Sequence, residues 1–370
     1  MKPLTLPTTK AEDLTYVECR TCLFDATIAT IHEDGVCEYC KLQTALREQA
    51  REPWDKVLAR IKKKGKGRKY DCLIGISGGE DSSVLLYLAV KVWKLRVLVL
   101  HFNNRTNRRE ATNNIKVLTE NLNVNFIEYF TAKTEYDELT DALLKAGVPD
   151  ADLSNDVIMA KLTFQFAKDN GIKVTLNGHS FREEGSSPKA WSFLDTTYLQ
   201  DVYYKFNEKH LEKYQVLTFW DQVHAAIIGM ERISPYHYAD HGRAEIIAEL
   251  VKLGWKSYGA KHNENIYTAY VGNHLLPKKF GIDKRRTYLS AAIREGKMTK
   301  EYAKEILLTP SEFNMADLGV RRKIIEELSL SPVNMSRAGY KKTNYKKWKP
   351  LLWLLVKLKV FPLTAYKKYC

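Results

Sequence analysis

The sequence contains no run of roughly 18 apolar residues, and its first 20 residues show no basic start leading into an apolar stretch. That pattern predicts neither a membrane-spanning helix nor a secretory signal, and a cytoplasmic protein is expected. There is no internal repeat and no long low-complexity segment. Cysteine is scarce, six in 370 residues, and four of the six fall between positions 19 and 40. Thiols so few and so unevenly spread argue against a disulfide framework and for metal binding in a reducing compartment. Two thiol arrangements are missing altogether: a Gly-x-Cys-x-Gly nucleophile elbow and an N-terminal cysteine, one of which a glutamine-hydrolysing centre would use. Asp and Glu are absent from residues 337 to 370, which carry ten Lys and Arg against a formal net charge of +14 for the whole protein. Because the excess charge is gathered in one tail, it is not read as a nucleic-acid footprint, and no nucleic-acid partner is expected. A second basic run, Arg60 to Lys69, contains two glycines and reads as a solvated connection or a patch for an acidic partner.

What is present alternates. After a cysteine-bearing module at 1–52 and a helix from Pro53 to about Lys64, a nearly continuous apolar run from Tyr70 to Ile76 predicts a strand covered on both faces. Helix 82–93, strand 95–102, helix 110–122, strand 125–130, helices 135–146 and 157–169, and strand 172–176 follow. This order predicts an α/β fold with a doubly wound parallel sheet. Beyond residue 195 the pattern turns mainly helical, with candidates at 240–253, 299–307 and 317–328. The expected organisation is a zinc-binding module built on four cysteines (1–52), an ATP-binding α/β domain (53–195), a helical substrate or partner region (196–330) and a basic, apolar tail (331–370). Ligands of open α/β sheets sit beyond the carboxyl ends of the strands, so the loops after Ile76, Phe102 and Leu176 are the ones to inspect.

The first of these reads Ser77-Gly78-Gly79-Glu80-Asp81-Ser82-Ser83 and runs straight into a helix. Adjacent glycines let backbone N–H groups converge, the helix N-terminus adds partial positive charge, and Ser77, Ser82 and Ser83 offer hydroxyls, which together suit a polyphosphate. The lysine of the GxxxxGK[ST] loop is absent. The motif instead resembles the SGGxDSS signature of PP-loop ATP pyrophosphatases. That resemblance implies ATP as the nucleotide, with the β- and γ-phosphates held as a leaving pyrophosphate and Asp81 serving Mg²⁺. After the second strand, main-chain groups near Phe102 are expected to read adenine, with Asn103 or Asn104 reaching ribose or phosphate. After the third landmark strand, Gly178 and His179 stand beside Glu183 and Glu184, where His179 could contact nucleotide, metal or a reacting carbonyl, or be structural. Cys19-x-x-Cys22 and Cys37-x-x-Cys40, with 14 residues between the pairs, have the spacing of a structural Zn²⁺ site: four thiolates close a tetrahedral shell. Lys261, Lys278, Lys279, Lys284, Arg285 and Arg286 form a concentrated cationic stretch suited to a phosphate or carboxylate, the alternative being a solvated helix end.

Taken in order, the cysteine module, SGGEDSS, the segment Pro149 to Asp156, NGHSFREEGSSPKAW (177–191), YGAKHNEN (258–265) and LPKKFGIDKRR (276–286) resemble the N-acetyl sugar amidotransferase family of bacterial surface-polysaccharide and flagellar-glycan pathways. The resemblance implies conversion of a sugar acetamido group to an acetamidino group, by adenylation of the amide oxygen followed by ammonia attack. Ser77, Asp81, His179 and Lys261 would carry the catalysis, on a nucleotide sugar or nonulosonic acid. Since the sequence lacks a glutaminase nucleophile, the resemblance also implies a separate glutaminase subunit, together with a cyclase-like partner. A PP-loop tRNA thiolase is the rival reading. It would share the zinc module and ATP loop, but between Cys72 and Cys370 there is no cysteine to relay sulfur. In the tail, Leu351 to Phe361 is too short and too charged to span a bilayer. Either it packs on the protein or a partner, or it rests peripherally on the anionic inner-membrane surface.

Overall fold

A computed structural model describes residues 17–239, 241–258, 263–358, 361 and 363–370. Five strands form one parallel sheet in the order β3-β2-β1-β4-β5: β1 Cys72–Gly75, β2 Val97–Asn103, β3 Asn125–Phe130, β4 Val174–Leu176 and β5 Glu231–Ile233. The polypeptide moves outward from β1 through β2 to β3, then returns to the other side of β1 for β4. The topological switch point therefore lies between the carboxyl ends of β1 and β4, where ligands of such sheets bind.

Alternation along the central strands explains why they read as unbroken apolar runs. Leu73, Leu98 and Leu100 face one layer, where they pack under α5 (Lys133–Lys145), α6 (Leu153–Asp169) and α7 (Thr196–Asn207). Cys72, Ile74, Val97, Val99, Val174 and Leu176 face the other, against α2 (Trp54–Gly65), α3 (Glu80–Tyr87), α4 (Arg109–Asn121) and α9 (Arg243–Lys252). Both faces are covered, as the doubly wound reading requires. Cys72 is fully buried and burial pushes its thiol pKa well up, so it is a small core hydrophobe and no nucleophile.

Strand β5 was not legible as a strand. It is three residues long, and two of these, Glu231 and Arg232, are charged; Glu231 is buried only because Arg60 and Lys64 of α2 bind its carboxylate, at 3.1 Å each. The helix expected at 317–328 is two pieces, a 3₁₀ segment Met315–Arg321 and helix Arg322–Leu328, because Gly319 breaks the run at φ 56°, ψ −134°. The helix expected from 240 begins at Arg243, after Gly242 at φ 66°.

The remaining helices wrap one end of the sheet: α1 (Glu38–Gln49) in the cysteine module, α8 (Phe219–Ile227), α10 (Ile266–Tyr270), α11 (Leu276–Phe280), α12 (Arg285–Arg294), α13 (Lys300–Leu308), α14 (Arg322–Leu328), α15 (Lys349–Lys357) and α16 (Leu363–Tyr369). Long-range ties fix this shell. Arg337 donates to the carboxylate of Asp150, both buried, and Asp150 also accepts from Phe193 N at 2.7 Å and Tyr198 Oη at 3.3 Å. Removing one partner of such a pair leaves an uncompensated buried charge, typically a cost of about 3–5 kcal/mol. The tail is thereby anchored to the segment that precedes α6. Among the described residues no helix is long and apolar enough to cross a membrane.

Candidate active site

The loop between β1 and α3 closes on itself. Ser77 N donates to Ser82 Oγ at 3.2 Å, Ser82 Oγ donates to Gly79 O at 3.2 Å, and Gly79 N donates to Ser77 Oγ at 3.3 Å. Gly78 stands at φ +79°, and a Cβ there would lie 2.2 Å from Ala111 O, so only glycine fits against α4. Its carbonyl is held from behind by Asn114 Nδ2 at 3.1 Å and Trp255 Nε1 at 3.3 Å. Glu264 accepts from Ser77 Oγ at 3.3 Å, and Tyr258 Oη stands 3.2 Å from where a Gly79 Cβ would be. That hydroxyl is buried and has no hydrogen-bond partner among the described residues; the same holds for Ser83 Oγ, which α3 carries below the loop. A cradle that a Cβ would fill, with an orphaned hydroxyl at its edge and a helix N-terminus behind it, fits a polyphosphate.

Asp81 is bound by Arg243 at the start of α9, which also pairs with Glu80 at 2.7 Å and Glu183 at 3.0 Å. Three carboxylates share this guanidinium and Lys297, 3.5 Å from Glu183, which leaves a net charge of −1 beside the cradle (three negative, two positive). A polyphosphate would be repelled there without a divalent cation, and oxygen donors of this kind suit Mg²⁺. The loop after β4 reaches the same spot. A Cβ on Gly178 would sit 3.3 Å from the backbone carbonyl carbon and oxygen of Asp81, so this turn lies directly on the first turn of α3, and Tyr236 Oη secures it by donating to Asp81 O at 3.0 Å.

Next to Gly178, His179 enters a cavity of about 820 Å³. Its walls come from α1 (Tyr39, Lys41), the start of α6 (Asp152, Asp156), the segment before α12 (Lys284) and α16 (Lys368). Burial alone would depress the His179 pKa, but the Glu184 carboxylate, 2.6 Å from Nδ1, outweighs it and raises the pKa above the usual value. Burial pushes the Asp152 carboxyl up to about 7, opposed by Lys284 and by hydrogen bonds from Asn155 and Thr268. Burial likewise lowers the Lys368 amine to about 8. Neighbouring His237 is pushed down to about 3 by burial and by the nearby His179 and Arg182, and its Nε2 has no partner among the described residues.

The remaining expected residues separate clearly. Successive residues of a strand point their main-chain groups to opposite neighbours. Since Leu100 O accepts from Ile76 N at 2.9 Å, Phe102, two residues on, turns its N–H and C=O the same way, past the end of β1 and toward the cleft. Side chains here are otherwise engaged: Asn103 donates to Glu128 at 2.7 Å and accepts from Arg105 N at 2.8 Å, and Asn104 is buried among Tyr136, Asn155 and Asn265. The cationic stretch is not one surface. Arg286 binds Asp25 and Leu23 O, Lys279 binds Ser329 O and Ser331 Oγ, Arg285 pairs with Asp283 at the cavity edge, and Lys284 faces the cavity. Lys261 lies outside the described residues. Sequence reasoning missed Arg243, Tyr258, Asp152 and Lys368. Arg243 could have been found as a lone Arg opening a helix after Gly242, and Asp152 and Tyr258 stand inside the motif segments 149–156 and 258–265; Lys368, one of the tail's many cations, carried no distinguishing signal.

The four sulfurs of Cys19, Cys22, Cys37 and Cys40 are all buried and lie within 4.8 Å of one another. The separations Cys19–Cys40 (3.8 Å), Cys22–Cys37 (3.7 Å) and Cys37–Cys40 (3.5 Å) match the edge of a tetrahedron, about 3.8 Å, around a single ion with metal–sulfur bonds of about 2.3 Å. Arg294 donates to Cys40 Sγ and Cys22 Sγ at 3.2 Å each, and hydrogen bonds from the Cys37 and Cys40 thiols, with this guanidinium, hold the Cys22 pKa far below its usual value.

Residues 54–172 match the NAD synthase family, and residues 264–358 match the family described as LPS biosynthesis protein WbpG-like, C-terminal domain. His179 and Glu184 fall between the two matched segments. An uncharacterized protein of Methanocaldococcus jannaschii is 26% identical over 177 residues, 46% of this chain. The present protein spans 58% of the length of that relative. Among solved structures, the U34-tRNA thiolase NcsA from Methanococcus maripaludis with its [4Fe-4S] cluster aligns at 15% identity and TM-score 0.36, covering 87% of this chain and 98% of that one. The NH3-dependent NAD synthetase from Campylobacter jejuni aligns at 14% identity and TM-score 0.28, covering 59% and 99%. At these scores neither likeness bears on reaction or metal.

The His179–Glu184 pair gives a pH test. A histidine whose folded pKa is raised contributes stability fully below its unfolded pKa, about 6.5, and loses that contribution as pH rises through the folded value. Glu184→Gln should therefore lower the thermal midpoint most near pH 6 and progressively less toward pH 9. A deficit that does not change with pH in a thermal-unfolding series would rule out the pairing.

Proposed function

We propose that this protein, which belongs to an N-acetyl sugar amidotransferase-like PP-loop family, is an ATP-dependent, AMP-forming amidotransferase that turns a sugar acetamido group into an acetamidino group for surface-glycan assembly. One observation carries the reading: Gly178 rests on the first turn of α3 while His179, the next residue, lines the large cavity, so the phosphate cradle and a sugar-sized chamber share one wall.

The amide carbon of an acetamido group is a poor electrophile, so its oxygen attacks the α-phosphorus of ATP. The bond from that phosphorus to the bridging oxygen breaks and pyrophosphate leaves. Ammonia adds to the activated carbon, the carbon–oxygen bond breaks, AMP departs with the former carbonyl oxygen, and loss of a proton leaves the acetamidine. The Ser77–Ser82 loop holds the departing phosphates with fixed N–H groups, which cost no reorganisation in the transition state. Tyr258 supplies a further donor, and Phe102 offers main-chain groups to the adenine. His179, whose proton affinity Glu184 raises, would when protonated place positive charge on the cavity side of the α-phosphate. Mg²⁺ held by Asp81 would neutralise charge developing on the phosphates.

Zn²⁺ in the four-sulfur site would be structural, since four thiolates leave no position for a reactant. Its role is to set α1, which walls the cavity, against α12. Metal analysis should find close to one zinc per protein molecule, lost in Cys22→Ser; iron and inorganic sulfide at cluster levels would contradict it. Ammonia comes from a separate glutaminase. Four cysteines form the metal site, Cys72 is buried, and Cys370 is a half-buried thiol against Tyr345 O. The same inventory leaves a persulfide-relaying thiolase without its thiol.

The reading is tested by incubating the protein with ATP, Mg²⁺, ammonium and a panel of N-acetylated nucleotide sugars and nonulosonic acids. One sugar should lose about 1 Da as oxygen is exchanged for NH, with AMP released in equal amount and no RNA added. Asp81→Asn and Ser77→Ala should abolish this with unchanged folding, and glutamine should not replace ammonium. AMP formation that requires tRNA, or full turnover by Asp81→Asn, would refute the proposal.

A further inference from the structure

Helix α15 buries Leu352, Leu355 and Val356 in a small core shared with Phe219 and Ala226 of α8. The helices meet where they begin, with the Phe219 ring 5.5 Å from that of Trp348. Each residue advances about 100° around an α-helix. The residues one step after Phe219 and Ala226 are Trp220 and Ile227; one step before Leu355 is Leu354, with Leu358 one turn on. These four side chains, turned off the shared core, stand 73%, 78%, 53% and 50% exposed, an apolar ledge uncovered by any described residue.

Charge around the ledge has one sign. Lys346, Lys347, Lys349 and Lys357 are exposed beside it, and residues 337 to 370 contain no carboxylate side chain. Asp221, the carboxylate of α8, is already neutralised by Lys161 at 3.0 Å and caps its own helix through Thr218. On the far flank Lys357 Nζ lies 4.6 Å over the Trp353 ring. Lysine is depleted at the cores of protein–protein interfaces, whereas helices resting in a lipid interface combine Trp and Leu on one side with Lys at the rim. The nine-residue helices cannot span a bilayer but can bury one face at the headgroup boundary.

We propose that the α8–α15 ledge docks the protein onto an anionic lipid surface. This does not depend on the reaction proposed above. Docking through α8 and α15 leaves α16 free to wall the cavity, where Lys368 lies and where Tyr369 Oη accepts from Leu194 N at 2.8 Å.

The test is co-sedimentation of the full-length protein with vesicles of phosphatidylcholine alone or mixed with phosphatidylglycerol, at low and high salt. Binding should require the anionic lipid and weaken severalfold in high salt. The double variant Trp220→Ser, Ile227→Ser should bind roughly tenfold less, and so should Lys346→Glu with Lys347→Glu. All four positions are exposed, so both variants should keep the wild-type thermal midpoint and sugar turnover. No binding to anionic vesicles at low salt would overturn the proposal, as would undiminished binding by the Trp220 variant. So would a vesicle-free dimer, seen in sedimentation velocity, that Trp220→Ser dissolves, since the ledge would then be a contact between copies of this protein.

Discussion

The site depends on one close approach. The turn after β4 lies on the first turn of α3 so tightly that a Cβ at residue 178 would press on the Asp81 backbone. In a parallel sheet whose order reverses at β1, the loops after β1 and β4 diverge and leave a crevice between them. Gly178 narrows that crevice to backbone contact at one point, and His179 beyond it faces a separate chamber. Whatever binds the β1 loop and whatever fills the chamber must therefore meet across Gly178 and His179. Arg243 and Tyr236, both following β5, brace the contact from the other side.

The chamber itself is assembled from distant parts of the sequence. The cysteine module contributes α1, and α12 grips that module through Arg294 on two sulfurs, Ser290 on Leu23 N and Arg286 on Asp25. Glu295, the next residue, gathers Arg47 and Gln43 of α1 and Arg182 of the loop after β4. A carboxylate with three donors from two segments works as a rivet: each contact satisfies a charge that would otherwise be costly to bury. The metal site thus supports the chamber from outside without touching it.

Strands β1, β2 and β4 were legible because they are apolar on both faces, and β3, exposed along much of its length, from its place in the alternation of strands and helices. Strands β1 to β4, the tight glycine turn between β1 and α3 and the four-cysteine cluster could all be read from local pattern. Strand β5 could not, because its buried glutamate is paid for by α2, some 170 residues earlier, a contact no local pattern encodes. The same limit hid the chamber. Asp152 and Lys368 carry displaced pKa values through burial by partners distant in sequence, and Arg286 and Lys279, which read as a cationic surface, are consumed by the fold. The tail was legible only as two alternatives. In the structure it divides: Leu352, Leu355 and Val356 pack inward, while Leu354 and Leu358 do not.

In the proposed reaction, ATP on the β1 loop is attacked by the acetamido oxygen of a sugar in the adjoining chamber. The most direct measurement follows that oxygen, using substrate carrying heavy oxygen in the acetamido carbonyl and mass spectrometry of the released AMP. The label should appear in the AMP phosphate, one atom for each acetamidine formed. Unlabelled AMP, with the heavy oxygen recovered in water or retained in the sugar, would contradict it.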